Sequence, residues 1–256
     1  MENLTFSDVN GNKLLGTLSI PARAESVVIM SHGFQSSKES KLYRELEYEL
    51  NQVGIGTFRY DAYGHGPLYC KGQAHRVSRD VSLSKWIDSL GAAIAFVRSK
   101  GEYDIGLMGS SFGALVSFIV ASQDPNIKAL ALKSPVTEPI EFWKQRLGNE
   151  KIAKWKQEGI MHYADHGENF QLDYGFWEDL NTFTTLEMAK SIICPVLIVH
   201  GGSDTVVPIK QSQELAEIVK TEVKVVKGAN HNYADPSQYE EMKQVITAFL
   251  VGTLSH

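Results

Sequence analysis

A chain of 256 residues with 43% hydrophobic residues and a formal net charge of −5 has room for one α/β domain or two small ones, and for a sizeable core. With no long run of either sign, the charge argues against a general attraction to nucleic acid. Two cysteines, Cys70 and Cys194, are too few for a disulfide framework and suit reduced thiols. The N-terminal MENLTFSDVNGNKL lacks a basic region followed by an apolar stretch, so no secretory signal is expected, and no apolar run is long enough for a membrane span. A cytoplasmic location is the expectation.

In chain order, Phe6 to Ile20 holds Asn10-Gly11 between two alternating segments, a hairpin signal. Strands are expected at Ser26–Ser31 (SVVIMS), Ile55–Tyr60, Tyr103–Met108, Lys128–Leu132, Pro195–His200 and Glu222–Val226. Helices are expected at Lys41–Asn51, Val81–Ser99 and Phe112–Ser122, each with apolar residues at helical spacing, and also near Lys210–Val219 and at Pro236–Leu250. This alternation implies a mostly parallel sheet covered on both faces, with one antiparallel edge from the N-terminal hairpin. Between about Ser134 and Leu186 the rhythm breaks into an aromatic, charged stretch, helical in part around Phe142 to Trp155. It is too long for a loop in a compact domain, so an insertion at the ligand edge of the sheet is expected.

One short motif suggests chemistry. Gly109-Ser110-Ser111-Phe112-Gly113 fits G-x-S-x-G with Ser111 at its centre, between an expected strand and an expected helix. Taken alone, this is equally an ordinary glycine-rich turn. A serine nucleophile needs a base, an acid that orients the base, and donors for an oxyanion. For a strand–turn–helix nucleophile those partners follow in the order acid, then histidine. Asp204 lies just past the PVLIVH strand, where a turn or N-cap role is the alternative. His231 follows the last expected strand, where a solvated loop histidine is the alternative. His162, His166 and His200 precede the acid, and His256 ends the chain.

The backbone N–H of Phe112, at the first turn of its helix, and that of Phe34, after His32-Gly33, are the candidate oxyanion donors. His32 and His65 are read as loop architecture. There is no H-E-x-x-H, no C-x-x-C and no phosphate-binding glycine fingerprint, so neither metal nor cofactor is expected.

SHGF at Ser31–Phe34, DAYGHG at Asp61–Gly66, GSSFG at Gly109–Gly113, HGGSDTVVP at His200–Pro208 and GANH at Gly228–His231 together resemble the α/β-hydrolase superfamily. Within it the chain is similar to compact serine hydrolases: cinnamoyl and feruloyl esterases, monoacylglycerol lipases, the serine aminopeptidase group and acyl-protein thioesterase-like members. The resemblance implies an eight-stranded core over residues 1–133 and 187–256, a cap over 134–186, and a Ser111–His231–Asp204 triad. Serine at 111 sets it apart from relatives that place Asp or Cys there. Where many relatives continue GHG with serine, this chain has Pro67, which weakens any transfer of substrate.

The expected activity is hydrolysis of small to medium acyl or aryl esters. Alternatives are an acyl thioesterase, a monoacylglycerol lipase, an aminopeptidase-like amidase, or a non-catalytic binding module. Trp143, Tyr163, Tyr174 and Trp177 are candidate substrate contacts, although cap aromatics also serve to glue a cap to its core. Glu138 and Glu141 are the candidate partners for a free amine.

Overall fold

The computed structural model describes residues 2–70, 77–165 and 168–255. His166 and His256 lie outside the described residues. The chain opens with β1 (Glu2–Ser7) and β2 (Lys13–Ser19), the expected hairpin. Its turn is held by Asp8, whose carboxylate accepts the Asn10 and Asn12 N–H groups at 2.9 Å each. There follow β3 (Ser26–Ser31), α1 (Lys41–Gln52), β4 (Gly56–Tyr60) and a short α2 (Gly66–Cys70). Then come α3 (Leu83–Arg98), β5 (Asp104–Ser110), α4 (Phe112–Gln123) and β6 (Ile127–Lys133).

The irregular stretch is more ordered than its sequence suggests. It forms α5 (Pro139–Glu158), the antiparallel pair β7 (Ile160–Asp165) and β8 (Glu168–Asp173), α6 (Gly175–Leu180) and α7 (Thr185–Ala189). Pro139 opens α5, where its missing N–H costs nothing. Gly148, at φ 74°, kinks it half-way. The chain then returns through β9 (Val196–Gly201), α8 (Ile209–Val219), β10 (Val223–Val226) and α9 (Pro236–Leu254).

Among the described residues eight strands form one sheet in the order β1-β2-β4-β3-β5-β6-β9-β10. Only β2 runs against its neighbours β1 and β4; every other pairing is parallel. Alternate residues of the central strands face two separate cores. Val27, Ile29 and Leu107 pack toward α3 and α4, while Val28, Met30 and Met108 pack toward α1 and α9. Burial on both faces explains why SVVIMS reads as a continuous apolar run rather than an alternating one. This is the mostly parallel, two-sided α/β architecture expected from the sequence.

Register places the chemistry. Ser31 pairs with Tyr60 and Gly109, Ser110 with Lys133, and Gly201 with Val226. The loops after β3, β4, β5, β6, β9 and β10 therefore open on one edge of the sheet, the carboxyl edge where open α/β sheets bind ligands.

The segment between β6 and β9 covers that edge and is tied down at several points. Trp155 donates its indole N–H to the Leu172 carbonyl at 2.9 Å. Arg79 pairs with Asp173 at 2.7 Å, and Asp179 of α6 accepts the Ser84 N–H at 2.9 Å in the first turn of α3. A carboxylate there also complements the helix dipole. Beneath the edge, Arg59 is buried against Glu47 at 2.9 Å and donates to the Lys38 carbonyl at 2.8 Å, anchoring the loop after β3. Arg59→Ala leaves the Glu47 carboxylate buried without its charge partner. We expect a loss of about 3–5 kcal/mol, read as a lower urea midpoint at unchanged m-value.

Candidate active site

Ser111 sits between the last residue of β5 and the first of α4, with φ 55° and ψ −114°. For a non-glycine residue such a backbone costs about 1–3 kcal/mol and persists only where the surroundings impose it. Here they do. A Cβ on Gly113 would fall 2.1 Å from the Ser31 carbonyl oxygen and 2.2 Å from that of His32, and one on Gly109 would fall 2.5 Å from the Gly113 oxygen. The two glycines let helix and strand close on each other, and the serine between them is turned outward. The Ser111 N–H donates to the Lys133 carbonyl at 2.8 Å, which ties the elbow to β6.

Asp204 and His231 arrive on the loops after β9 and β10. His231 Nδ1–H donates to Asp204 Oδ2 at 2.7 Å, and its Nε2 lies 3.2 Å from Ser111 Oγ, placed to accept that hydroxyl proton. The other Asp204 oxygen accepts the Val206 and Val207 N–H groups at 2.8 and 2.9 Å. His200, buried at the end of β9, brings Nε2 to 3.3 Å from Asp204 Oδ2 and 3.0 Å from the Val207 carbonyl, while Nδ1 lies 2.7 Å from Ser212 Oγ. Burial alone would raise the Asp204 carboxyl. The hydrogen bonds from His200 and His231, the charge of His231 and the Val207 N–H hold it well below the usual carboxylate range.

His231 is pushed below its ordinary 6.5, chiefly by burial and further by the nearby Lys133 and His200, against the opposing pull of Asp204. It is therefore neutral at neutral pH. Lys133, at the end of β6, is also buried, which brings its ammonium down to about 8 despite the attraction of Asp204.

The loop after β3 carries Phe34. His32 and His65 hold this loop in place: His32 Nε2 accepts the Ala62 N–H at 3.1 Å, and His65 Nε2 accepts the Gln35 N–H at 3.3 Å. Both imidazoles are lowered by burial, so each stays neutral and able to accept at Nε2. Gln35, next to Phe34, has φ 61°.

A cavity of 370 Å³ opens over Ser111 and is bounded by Phe34, Phe112 and His231 on the core side. Trp143 and Tyr163 line it from above, and Arg146 donates to the Tyr163 hydroxyl from Nε at 3.1 Å. Tyr174 and Trp177 are not among its walls. Both pack edge-on against Trp155, at 5.6 and 6.4 Å between ring centres, as part of the aromatic cement of α5 and α6. Glu138 and Glu141 border a different hollow beside Phe183 and Leu186. Among the described residues no group of three or more His, Cys, Asp or Glu side chains is arranged to hold a metal ion.

Two residues that contribute to the site have roles there that the sequence did not suggest. His200 stands four residues before Asp204, a spacing that offered the only hint. Lys133 closes the buried run Ala129–Leu132 of IKALALK, and a cation ending a buried run was the available signal.

Comparison with known proteins agrees with this fold. The family model described as serine aminopeptidase, S33, matches residues 22–166, more than half of the chain. The chain belongs to this family of α/β hydrolases. A solved structure of Est1E from Butyrivibrio proteoclasticus with ferulic acid bound superposes with a TM-score of 0.82 at 25% identity, covering 99% of this chain and 100% of that one. The monoacylglycerol lipase of Mycolicibacterium smegmatis is 23% identical over 286 residues, 98% of this chain and 97% of its own. A putative phosphoribosyl transferase of Mycobacterium tuberculosis is 22% identical over 241 residues, 93% of this chain but only 44% of that protein. The chain thus spans less than half the length of that relative.

The elbow predicts a sharp contrast between two glycines. Gly113→Ala drives a Cβ into two backbone carbonyls and should cost about 3 kcal/mol or more. Gly91→Ala, on α3 with nothing within 4 Å of its added Cβ, should gain about 0.5–1 kcal/mol. Thermal unfolding of the two variants beside the parent chain measures both.

Proposed function

We propose that the chain is a serine hydrolase that cleaves small to medium carboxylic esters through an acyl-serine at Ser111. The observation that carries this reading is the unbroken run from Asp204 through His231 to Ser111 at 2.7 and 3.2 Å, at the floor of an aromatic-walled cavity. In this reading His231 Nε2 takes the Ser111 proton as Oγ attacks the ester carbonyl. The Phe34 and Phe112 N–H groups receive the oxyanion. The imidazolium then protonates the departing alcohol, and water repeats the cycle to release the acid. Asp204 holds the Nδ1–H tautomer and stabilises the imidazolium. No cofactor takes part.

The segment 134–186 acts as the cap, with Trp143 and Tyr163 as the wall that selects the acyl or aryl group. Est1E, solved with ferulic acid bound, and the similar monoacylglycerol lipase support an ester over an amide. So does the position of Glu138 and Glu141, which stand away from the cavity where a free amine would have to be held. Thioesters need the same machinery and are compared in the same assay.

A fluorophosphonate label read by intact mass, together with hydrolysis of short-chain nitrophenyl esters and thioesters, tests the reading. One adduct is expected, lost in Ser111→Ala along with at least about a thousandfold of kcat, and retained in Ser110→Ala. A well-folded wild type that takes no label and turns over no ester would point instead to a binding module.

The pH profile is a second check. The base must be unprotonated, so kcat/KM rises with pH through the His231 value. That value is held below 6.5 chiefly by burial, so the acid limb should fall below pH 6.5. In Asp204→Asn the tautomer is no longer held, and kcat should drop by about ten-thousandfold while the fold persists.

A further inference from the structure

We infer that Lys133 is a positioning residue for the proposed reaction, fixing the nucleophile elbow and the histidine loop against each other with two different groups. This inference rests on the reading of Ser111 and His231 given above. The Lys133 carbonyl accepts the Ser111 N–H at 2.8 Å. Its ammonium donates to the His231 carbonyl at 2.9 Å and lies 4.9 Å from the centre of the Tyr233 ring. Ser111 and His231 are 120 residues apart in sequence, and the 3.2 Å contact between their side chains is weak on its own. One residue at the end of β6 holds the backbone on both sides of it. The next residue, Ser134, turns at φ 43° with its N–H on the Val199 carbonyl at 2.8 Å, so the end of β6 is itself clamped to β9.

The placement is costly, which argues for a use. A lysine that is 7% exposed has surrendered most of its hydration. Its charge is met by the His231 carbonyl, the face of the Tyr233 ring and, at longer range, Asp204. A methionine would fill similar space without that cost. Lysine brings what methionine lacks: a donor on the histidine loop and a positive charge beside the imidazole. The groups that face His231 are Asp204 and His200 from the β9 side, Ser111 from the elbow and Lys133 from β6. Those that face Lys133 are Asp204, His231 and Tyr233. Lys133 and His200 are the groups that press the imidazole toward neutrality, so loss of the Lys133 charge should make His231 more basic.

The experiment compares wild type, Lys133→Met and Lys133→Arg in nitrophenyl ester hydrolysis across pH, with thermal unfolding and fluorophosphonate labelling of each. In Lys133→Met, kcat should fall about tenfold while KM holds, because the histidine loop loses its anchor. The acid limb should move up by about one pH unit, since a like charge has gone. Tm should hold or rise, because a buried charge has been replaced by an apolar chain. Lys133→Arg should return the acid limb toward its wild-type position.

A methionine variant with lower Tm and an unmoved acid limb would reduce Lys133 to a structural part and overturn the inference. So would a rise in KM at constant kcat, which would assign the ammonium to substrate. If wild type takes the label at Ser111 but the limb does not move, only the role of Lys133 falls. If wild type takes no label, the reading of Ser111 falls and this one with it.

Discussion

The site depends on one close approach. α4 begins so near to β3 and β5 that Gly113 has two carbonyl oxygens where a side chain would stand, and the residue between the glycines must take up a backbone that serine alone would not choose. The strain is local, but what imposes it is the whole central sheet. The Ser111 N–H is held by β6, and its own carbonyl accepts the Val136 N–H at 3.3 Å beyond that strand. The energy that keeps Ser111 turned toward the cavity is the packing energy of the two cores on either side of the sheet.

A second constraint comes from polar groups that never meet a substrate. His32, His65, Arg59, Glu47 and Asp61 are all buried beneath the loop after β3. Each of them spends hydrogen bonds on backbone or on one another: the Lys38 N–H on Asp61, the Lys38 carbonyl on Arg59, the Gln35 N–H on His65. A buried polar network of this kind tolerates few arrangements, because each unmet partner costs more than a typical hydrogen bond contributes. It ties the glycine-bearing loop down at several backbone groups. Asp204 shows the same logic, since both of its oxygens are occupied before any chemistry begins.

Much of the core was legible because its signals are local. SVVIMS and KLYRELEYELN declare a two-sided strand and an amphipathic helix within their own lengths, and β3 and α1 lie where they were expected. The elbow was legible because close packing leaves glycines at fixed offsets. The segment between β6 and β9 was not. Its hairpin β7–β8 and short α6 take their stability from Trp155, Asp173 and Asp179 reaching distant partners, and no periodicity records such contacts. The same reason separates Trp143 and Tyr163, which face the cavity, from Tyr174 and Trp177, which do not. The sequence shows four aromatic residues, and only the packing of Trp155 assigns them to two sides. Lys133 and His200 were hidden differently: a single polar residue at a strand end carries no pattern.

Phe34 belongs to both halves of the molecule. Its ring meets Phe112 of the core at 5.6 Å, and Trp143 and Phe176 of the covering segment at 5.8 and 5.7 Å. Its backbone N–H is one of the two proposed above to hold the developing oxyanion. Exchange of the covering segment therefore cannot be a simple change of roof. A graft that brings a wider chamber also brings a new surface against this ring, and whatever displaces the ring re-aims the amide three bonds away. Breadth of substrate and speed of turnover are in this architecture inherited together, and an evolving or engineered lineage that changes the one has to re-fit the other at a single phenylalanine.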